Sequence, residues 1–190
     1  VLKPGCVGKM PEHMQLRDED ENVITEVGVS GEIYGYQKHS RRYWNDEEAT
    51  RDSFREGWTK TGDLGFIDAD GDLIMSGRSK ELIIRGGYNI TPLEIETVLH
   101  QHAAVQNAAV GGVDHEMLGG DIAAAITLRA GTAATVEEIG AFCRENLADN
   151  KVPRTIVIFD ELPHNPNGKV LKKELKEPLQ KAATERKRAA

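Results

Sequence analysis

In the stretch LPHNPNGKVLKKEL, residues 162–175, Gly168 and Lys169 stand in a loop that runs into a helix-forming segment. Anions gather at such places, because unpaired backbone N–H groups at a helix start favour phosphate. Lys169 is therefore a candidate phosphate ligand or catalytic cation. A Walker loop is excluded, since that motif needs an upstream glycine and a Ser or Thr after the lysine, and Val170 follows here. Pro163 and Pro166 restrict the backbone around it. On spacing alone, a working lysine and a solvated one both stay open.

Two further places carry candidate groups. In TKTGDLG, Asp63 sits in a glycine-flanked turn. A carboxylate there can accept hydrogen bonds from a pair of hydroxyls such as those of a ribose, or it can simply serve the turn. GRSKELIIRGGYNI adds Arg78, Lys80, Arg85 and the pair Gly86-Gly87. Adjacent glycines after a strand form a tight turn or let another molecule approach the backbone. His100, His102 and His115 have no zinc-site spacing, so no metal site is expected. No Gly-x-Ser-x-Gly elbow or Cys-His arrangement offers an acyl-enzyme nucleophile.

These groups need elements to hold them. From Val1 to about Thr61 the pattern is short strands and turns with a small polar helix in DEEATRDSF. Its apolar alternation is sparse, which fits the tail of a larger β-rich domain rather than an independent core. In FIDADGDLIMS, Asp70-Gly71 predicts a two-residue hairpin turn. A calcium loop does not fit the glycine spacing. Thr91-Pro92-Leu93-Glu94 and Thr135 with Glu138 read as capping boxes. They open helices with apolar faces at Ile95, Val98 and Leu99, and at Ile139, Phe142, Cys143 and Leu147. VQNAAVGGV, DIAAAITLR and RTIVIFDEL read as strands with one covered face. The expected class is α+β: a β-rich remnant over 1–76, then a domain over 77–190 with helices on a short mixed sheet and a hairpin at its head.

Composition narrows the function classes. The chain has 190 residues, 39% apolar and 29% charged, with a net charge of −7. No run approaches the roughly 20 apolar residues of a membrane helix, and the acidic balance disfavours nonspecific nucleic-acid binding. Cys6 and Cys143 stand far apart, which fits a reducing cytoplasm rather than a disulfide framework. Residues 169–188 carry eight Lys or Arg against three Glu, read as a helix with solvated lysines at a dipole-complementing end. The chain opens on Val1, and the expectation is a piece of a longer protein.

In order along the chain, GEIYGYQ, YWN, GWTKTGDLG, GDLIMSGRSKELIIRGGYNITPLEIETVL, VQNAAVGGVDHEMLG and KVPRTIVIFDELPHNPNGKVLKKEL resemble the AMP-forming acyl-CoA synthetase family. These adenylate-forming enzymes include acyl-CoA ligases, firefly luciferase and peptide-synthetase adenylation domains. The resemblance runs from Gly31 to Leu175. It implies that a carboxylic acid is activated with ATP to an acyl adenylate and then passed to coenzyme A, with AMP and pyrophosphate released. It further implies ribose binding by Asp63, nucleotide contact by Arg78, and adenylation catalysis by Lys169. A hinge at Lys80 would swing the small domain, a mobile lid, so that the Gly86-Gly87 face meets the large N-terminal domain and leaves room for a pantetheine arm. The phosphate loop, the Mg2+ ligand and the acid pocket would lie in that large domain, leaving the piece alone inactive or nearly so.

Ala103, Asn150, Arg42 and Gly120 depart from common family residues, and none touches Asp63, Arg78 or Lys169. Pro163 to Lys169 also resembles a pattern through which some members are switched off by lysine acylation, which would remove the charge. Two alternatives remain beside the ligase: a noncatalytic nucleotide- or partner-binding module on the same fold, and a peptide-synthetase adenylation domain.

Overall fold

The computed structural model describes residues 3–39 and 41–189. The chain forms two compact units, Val1–Lys80 and Glu81–Ala190. The first comprises β1 (Cys6–Lys9), β2 (Met14–Arg17), β3 (Val23–Ile24), β4 (Gly31–Tyr36), α1 (Glu47–Ser53), β5 (Phe54–Arg55), β6 (Trp58–Ile67) and β7 (Asp72–Arg78). The second comprises β8 (Ile83–Arg85), β9 (Tyr88–Ile90), α2 (Pro92–Gln101), β10 (Val105–His115), β11 (Gly119–Leu128), α3 (Val136–Asn146), β12 (Thr155–Ile158) and α4 (Lys172–Ala189). A 3₁₀ turn at Ser79–Glu81 carries the chain between them.

In the first unit the strands run antiparallel in the order β1-β7-β6-β4-β2-β3, with β5 paired to the start of β6. Its core is small: Leu16, Ile33 and Leu73 are buried, with Met10, Met14, Ile24, Ile67 and Met75 packed around them. The β6–β7 hairpin forms where Asp70-Gly71 predicts one, but through a different turn. The Asp68 N–H donates to the Asp72 carbonyl and the Gly71 N–H to the Asp68 carbonyl. Only Gly71, at φ 77°, is left-handed, so the connection is the longer one in which a turn ends on a glycine bulge. Lys3 holds this turn, its Nζ lying 2.6, 2.6 and 3.1 Å from carboxylate oxygens of Asp68, Asp70 and Asp72.

The second unit is a mixed sheet with helices on both faces. β11 pairs antiparallel with β10 along its length; its other edge takes β8 antiparallel at Gly119↔Arg85 and β12 in parallel at Ala123–Ile126. Ile122, Ala124 and Ile126 face a core with Ile95 and Leu99 of α2 and Ile139 and Cys143 of α3. Ala123 and Ala125 face a second core with Leu175, Leu179 and Ala183 of α4. Full burial of each large aliphatic contributes about 1.5–3 kcal/mol, so α4 is held by its Leu175, Leu179, Ala183 stripe while Lys173, Lys176 and Lys181 face water. The strand expected to be covered on one face is thus covered on both, because alanines admit a helix on each side.

The two expected capping boxes behave differently. At α3 the Thr135 hydroxyl accepts from the Glu138 N–H at 3.2 Å, and the Glu138 carboxylate accepts from the Thr135 N–H at 2.8 Å. At α2, Thr91 makes no side-chain cap bond; Glu94 instead takes the Lys151 ammonium at 2.8 Å, and buried Pro92 at the first position starts the helix. Thr135→Ala is expected to destabilise the second unit by about 1 kcal/mol, read from its denaturant midpoint. Hydrogen bonds from the Thr135 backbone and side chain hold Glu138 below the usual carboxylate pKa. The part that the Thr135 hydroxyl adds to the Glu138 carboxylate is therefore present at neutral pH and lost as acidification passes through that lowered value. The gap between variant and parent midpoints narrows in acid without closing, because the bond from the Glu138 N–H to the Thr135 hydroxyl does not titrate.

Candidate functional site

Asp63 lies within strand β6, not in a turn. The antiparallel register sets it opposite Arg78 of β7, and Arg78 Nε lies 2.8 Å from Asp63 Oδ1. The residues around it are fixed through their backbones. Thr61 Oγ1 accepts the Asp63 N–H at 3.1 Å and donates to the Ile33 carbonyl at 2.7 Å. The Gly62 N–H donates to Glu32 Oε1 at 2.9 Å. Gly62 has φ 78°, a conformation that only glycine adopts without strain, which is how a glycine comes to sit inside this strand. Both side chains reach solvent, at 30% for Asp63 and 55% for Arg78. The pair presents a carboxylate that accepts hydroxyl donors beside a guanidinium with unused N–H groups among the described residues. Two residues on, Lys80 is exposed in the 3₁₀ turn.

In the second unit, Gly86 and Gly87 form the turn between β8 and β9, at φ 57° and 84°. Both angles are left-handed, as a type I′ turn requires. A side chain at Gly87 would meet nothing within 4 Å, so conformation rather than crowding calls for glycine, and the space above the turn stays open. Ile84 and Tyr88 flank it with exposed side chains. The hairpin is anchored from below by Arg85, whose role spacing alone left unassigned. Arg85 is 7% exposed and Asp121 4%; Nε to Oδ1 is 3.2 Å, and Nη1 donates to the carbonyls of Asn150 and Val152 at 2.7 and 3.2 Å. Gly120, one of the departures from the family pattern, lies against this hairpin: a Cβ there would sit 2.7 Å from the Ile84 carbonyl oxygen.

Lys169 occupies a closed loop of the same unit. An isolated bridge pairs His164 with Val170, the Gly168 N–H donates to the Asn165 carbonyl at 2.9 Å, and Gly168 takes φ 79°. Lys169 is exposed, and its ammonium makes no ion pair among the described residues. Three residues later Lys172 is the opposite case. Its Nζ lies 2.7 Å from Glu81 and 2.8 Å from Glu96. Burial works against its charge, but hydrogen bonds to the two carboxylates hold its pKa above the ordinary value. The second lysine of the expected solvated run, Lys172, is therefore a structural ion pair, and Lys169 is the available cation of the two.

The described residues offer one group of three carboxylates, Asp68, Asp70 and Asp72. Lys3 already sits among them, so they do not fit a magnesium ion. No helix among the described residues is long and apolar enough to cross a membrane.

Residues 94–169 match the family model of the AMP-binding enzyme C-terminal domain. The chain is 41% identical over 178 residues to a 2-succinylbenzoate–CoA ligase of Bacillus cereus, covering 93% of this chain and 36% of that protein. It is 41% identical over 170 residues to an oxalate–CoA ligase of Arabidopsis thaliana, covering 88% and 33%. The solved structure of o-succinylbenzoate CoA synthetase from Bacillus subtilis, in complex with its acyl-adenylate intermediate, superposes with a TM-score of 0.79 at 37% identity, covering 90% of this chain and 35% of that one. The chain thus spans about a third of the length of these relatives. Over residues 94–169 it carries the C-terminal domain of an AMP-binding enzyme, of the acyl-CoA-ligase-like kind found in these relatives.

Proposed function

We propose that the chain is the C-terminal portion of an acyl-CoA ligase, with residues 1–80 closing the large adenylating domain and residues 81–190 forming a mobile lid that turns about Lys80; the boundary expected after residue 76 would cut strand β7. The whole enzyme activates a carboxylic acid with ATP and transfers the acyl group to coenzyme A. A carboxylate oxygen attacks the α-phosphorus and pyrophosphate leaves; the thiol sulfur then attacks the acyl carbon, the thiol proton is lost, and AMP leaves with the bridging oxygen. Asp63 accepts the ribose hydroxyls while its partner Arg78, 2.8 Å away, orients the carboxylate and offers N–H donors to the nucleotide. Lys169 stabilises the negative charge that gathers at the α-phosphate as the carboxylate approaches, an interaction stronger in the transition state than before it.

The observation that carries this reading is the contrast between two neighbouring lysines: Lys172 is held by two carboxylates, whereas Lys169 is exposed without an ion pair among the described residues. The ligases named above support the thiol acceptor. The open Gly86-Gly87 turn, with Ile84 and Tyr88 exposed beside it, supports a second working face, where a narrow pantetheine arm passes over bare backbone. Magnesium, needed with ATP, is held elsewhere in the enzyme.

The test is acid-dependent exchange of labelled pyrophosphate into ATP by the whole enzyme, over carboxylic acids from short to long and aromatic. Exchange with at least one acid, followed by thioester and AMP when coenzyme A is added, is the expected result. Nucleotide binding without exchange for any acid would favour a noncatalytic module.

A further inference from the structure

The Lys169 side chain has a long flexible stem, and nothing among the described residues holds its ammonium. The region that charge can reach is centred on the backbone of residue 169, and that backbone is gripped by one residue. The Asn165 N–H donates to the Lys169 carbonyl at 2.8 Å. The Asn165 side-chain oxygen, Oδ1, accepts the Lys169 N–H at 2.8 Å and the Asn167 N–H at 3.0 Å. Both hydrogen-bonding groups of the Lys169 main chain therefore end on Asn165. Asparagine does this because its carbonyl reaches the backbone two to four residues on, mimicking a turn. The need is local. Gly168 at φ 79° brings conformational freedom just ahead of the lysine, and the loop is exposed from Pro166 through Lys169, so packing supplies little restraint.

We infer that Asn165 is the positioning residue for Lys169, its side-chain oxygen holding the loop so that the lysine stem starts from one fixed point for the adenylation step. The inference rests on the reading of Lys169 given above. It assigns Asn165 no contact with substrate. A lysine whose backbone wanders by an ångström spends its time in arrangements that do not stabilise the transition state, and displacements of that size cost up to about 100-fold in rate.

The experiment compares Asn165→Ala, Asn165→Asp and Lys169→Ala in the whole enzyme by two independent readouts. One is pyrophosphate exchange set against thioester formation from supplied acyl adenylate. The other is hydrogen exchange at the amides of Asn167 and Lys169. Asn165→Ala is expected to lower kcat for exchange by about 10- to 100-fold with the KM for ATP little changed and the thioester step at its parent rate. The two amides should lose protection in the same variant. Asn165→Asp keeps the acceptor oxygens and should recover both amide protection and most of the rate. The inference is overturned if Asn165→Ala exchanges pyrophosphate like the parent while Lys169→Ala does not, or if it loses rate with both amides still protected. If Lys169→Ala itself keeps full exchange, the reading of Lys169 fails first and takes the inference with it.

Discussion

Replacing Lys169 with alanine is expected to lower pyrophosphate exchange into ATP by about 100- to 1,000-fold while leaving thioester formation from supplied acyl adenylate near its parent rate. The asymmetry follows from where charge moves. In the first step two anions, the acid's carboxylate and the α-phosphate, are pressed together, and an ammonium placed there is worth most at their closest approach. In the second step AMP departs with the bridging electron pair, but on the proposed reading the lid has by then turned about Lys80 and Lys169 no longer faces the phosphate. Equal loss in both steps would mean that Lys169 serves the fold or binds nucleotide uniformly, and not the adenylation transition state. The structure weighs against a fold role: the side chain is exposed, while the fold's ion pair in this region belongs to Lys172.

The largest expected effect on stability lies at Arg85. Its guanidinium and the Asp121 carboxylate are both buried, and burial pulls the arginine's pKa below its ordinary value, a sign of desolvation that the pairing must offset. Arg85→Ala leaves the buried Asp121 charge with only the half-exposed Arg154 guanidinium, 3.8 Å away, as a cationic partner, and the carbonyls of Asn150 and Val152 without their donor. Removing one partner of such a pair costs about 3–5 kcal/mol, measured as a fall in the denaturant midpoint of the second unit. Replacing both partners together, Arg85→Met with Asp121→Leu, should recover part of that, because it removes the poorly paired buried carboxylate but leaves the Asn150 and Val152 carbonyls without their donor. An Arg85→Ala midpoint within experimental error of the parent would contradict the buried pair. The functional cost should fall on thioester formation, since Arg85 directly precedes Gly86-Gly87 and fastens that hairpin to β11 and the 149–152 turn.

Much of this architecture was legible in the residues. Thr135 with Glu138 and the apolar stripes of α2 and α3 are local signals, and local signals survive folding when no distant group competes. Where one did compete, the reading failed. Glu94 has the spacing of a capping residue, but Lys151 lies 57 positions away in sequence and takes its carboxylate. Asp63 looked like a turn residue because glycine precedes it; the glycine proved to be a left-handed step inside a strand, fixed by Glu32 from the neighbouring strand. The run IAAAI of β11 could not announce helices on both faces, because what lies over an alanine depends on α2 and α3 on one side and α4 on the other, none of them contiguous with the strand. For the site, the Gly-Lys loop pointed to Lys169. Asn165 was missed, although an asparagine before Pro-Asn-Gly is a turn signal in its own right. Lys172 had no signal, since neither carboxylate that holds it is its neighbour in sequence.

The central claim is that the acid's own oxygen bonds to the α-phosphorus before sulfur displaces it. That oxygen can be followed. When the acid that supports exchange is supplied with both carboxyl oxygens as ¹⁸O, and ATP and coenzyme A are added to the whole enzyme, one labelled oxygen should appear in each AMP and the other should stay in the thioester. Label in pyrophosphate or free phosphate, or unlabelled AMP formed at the rate of the thioester, would contradict the account.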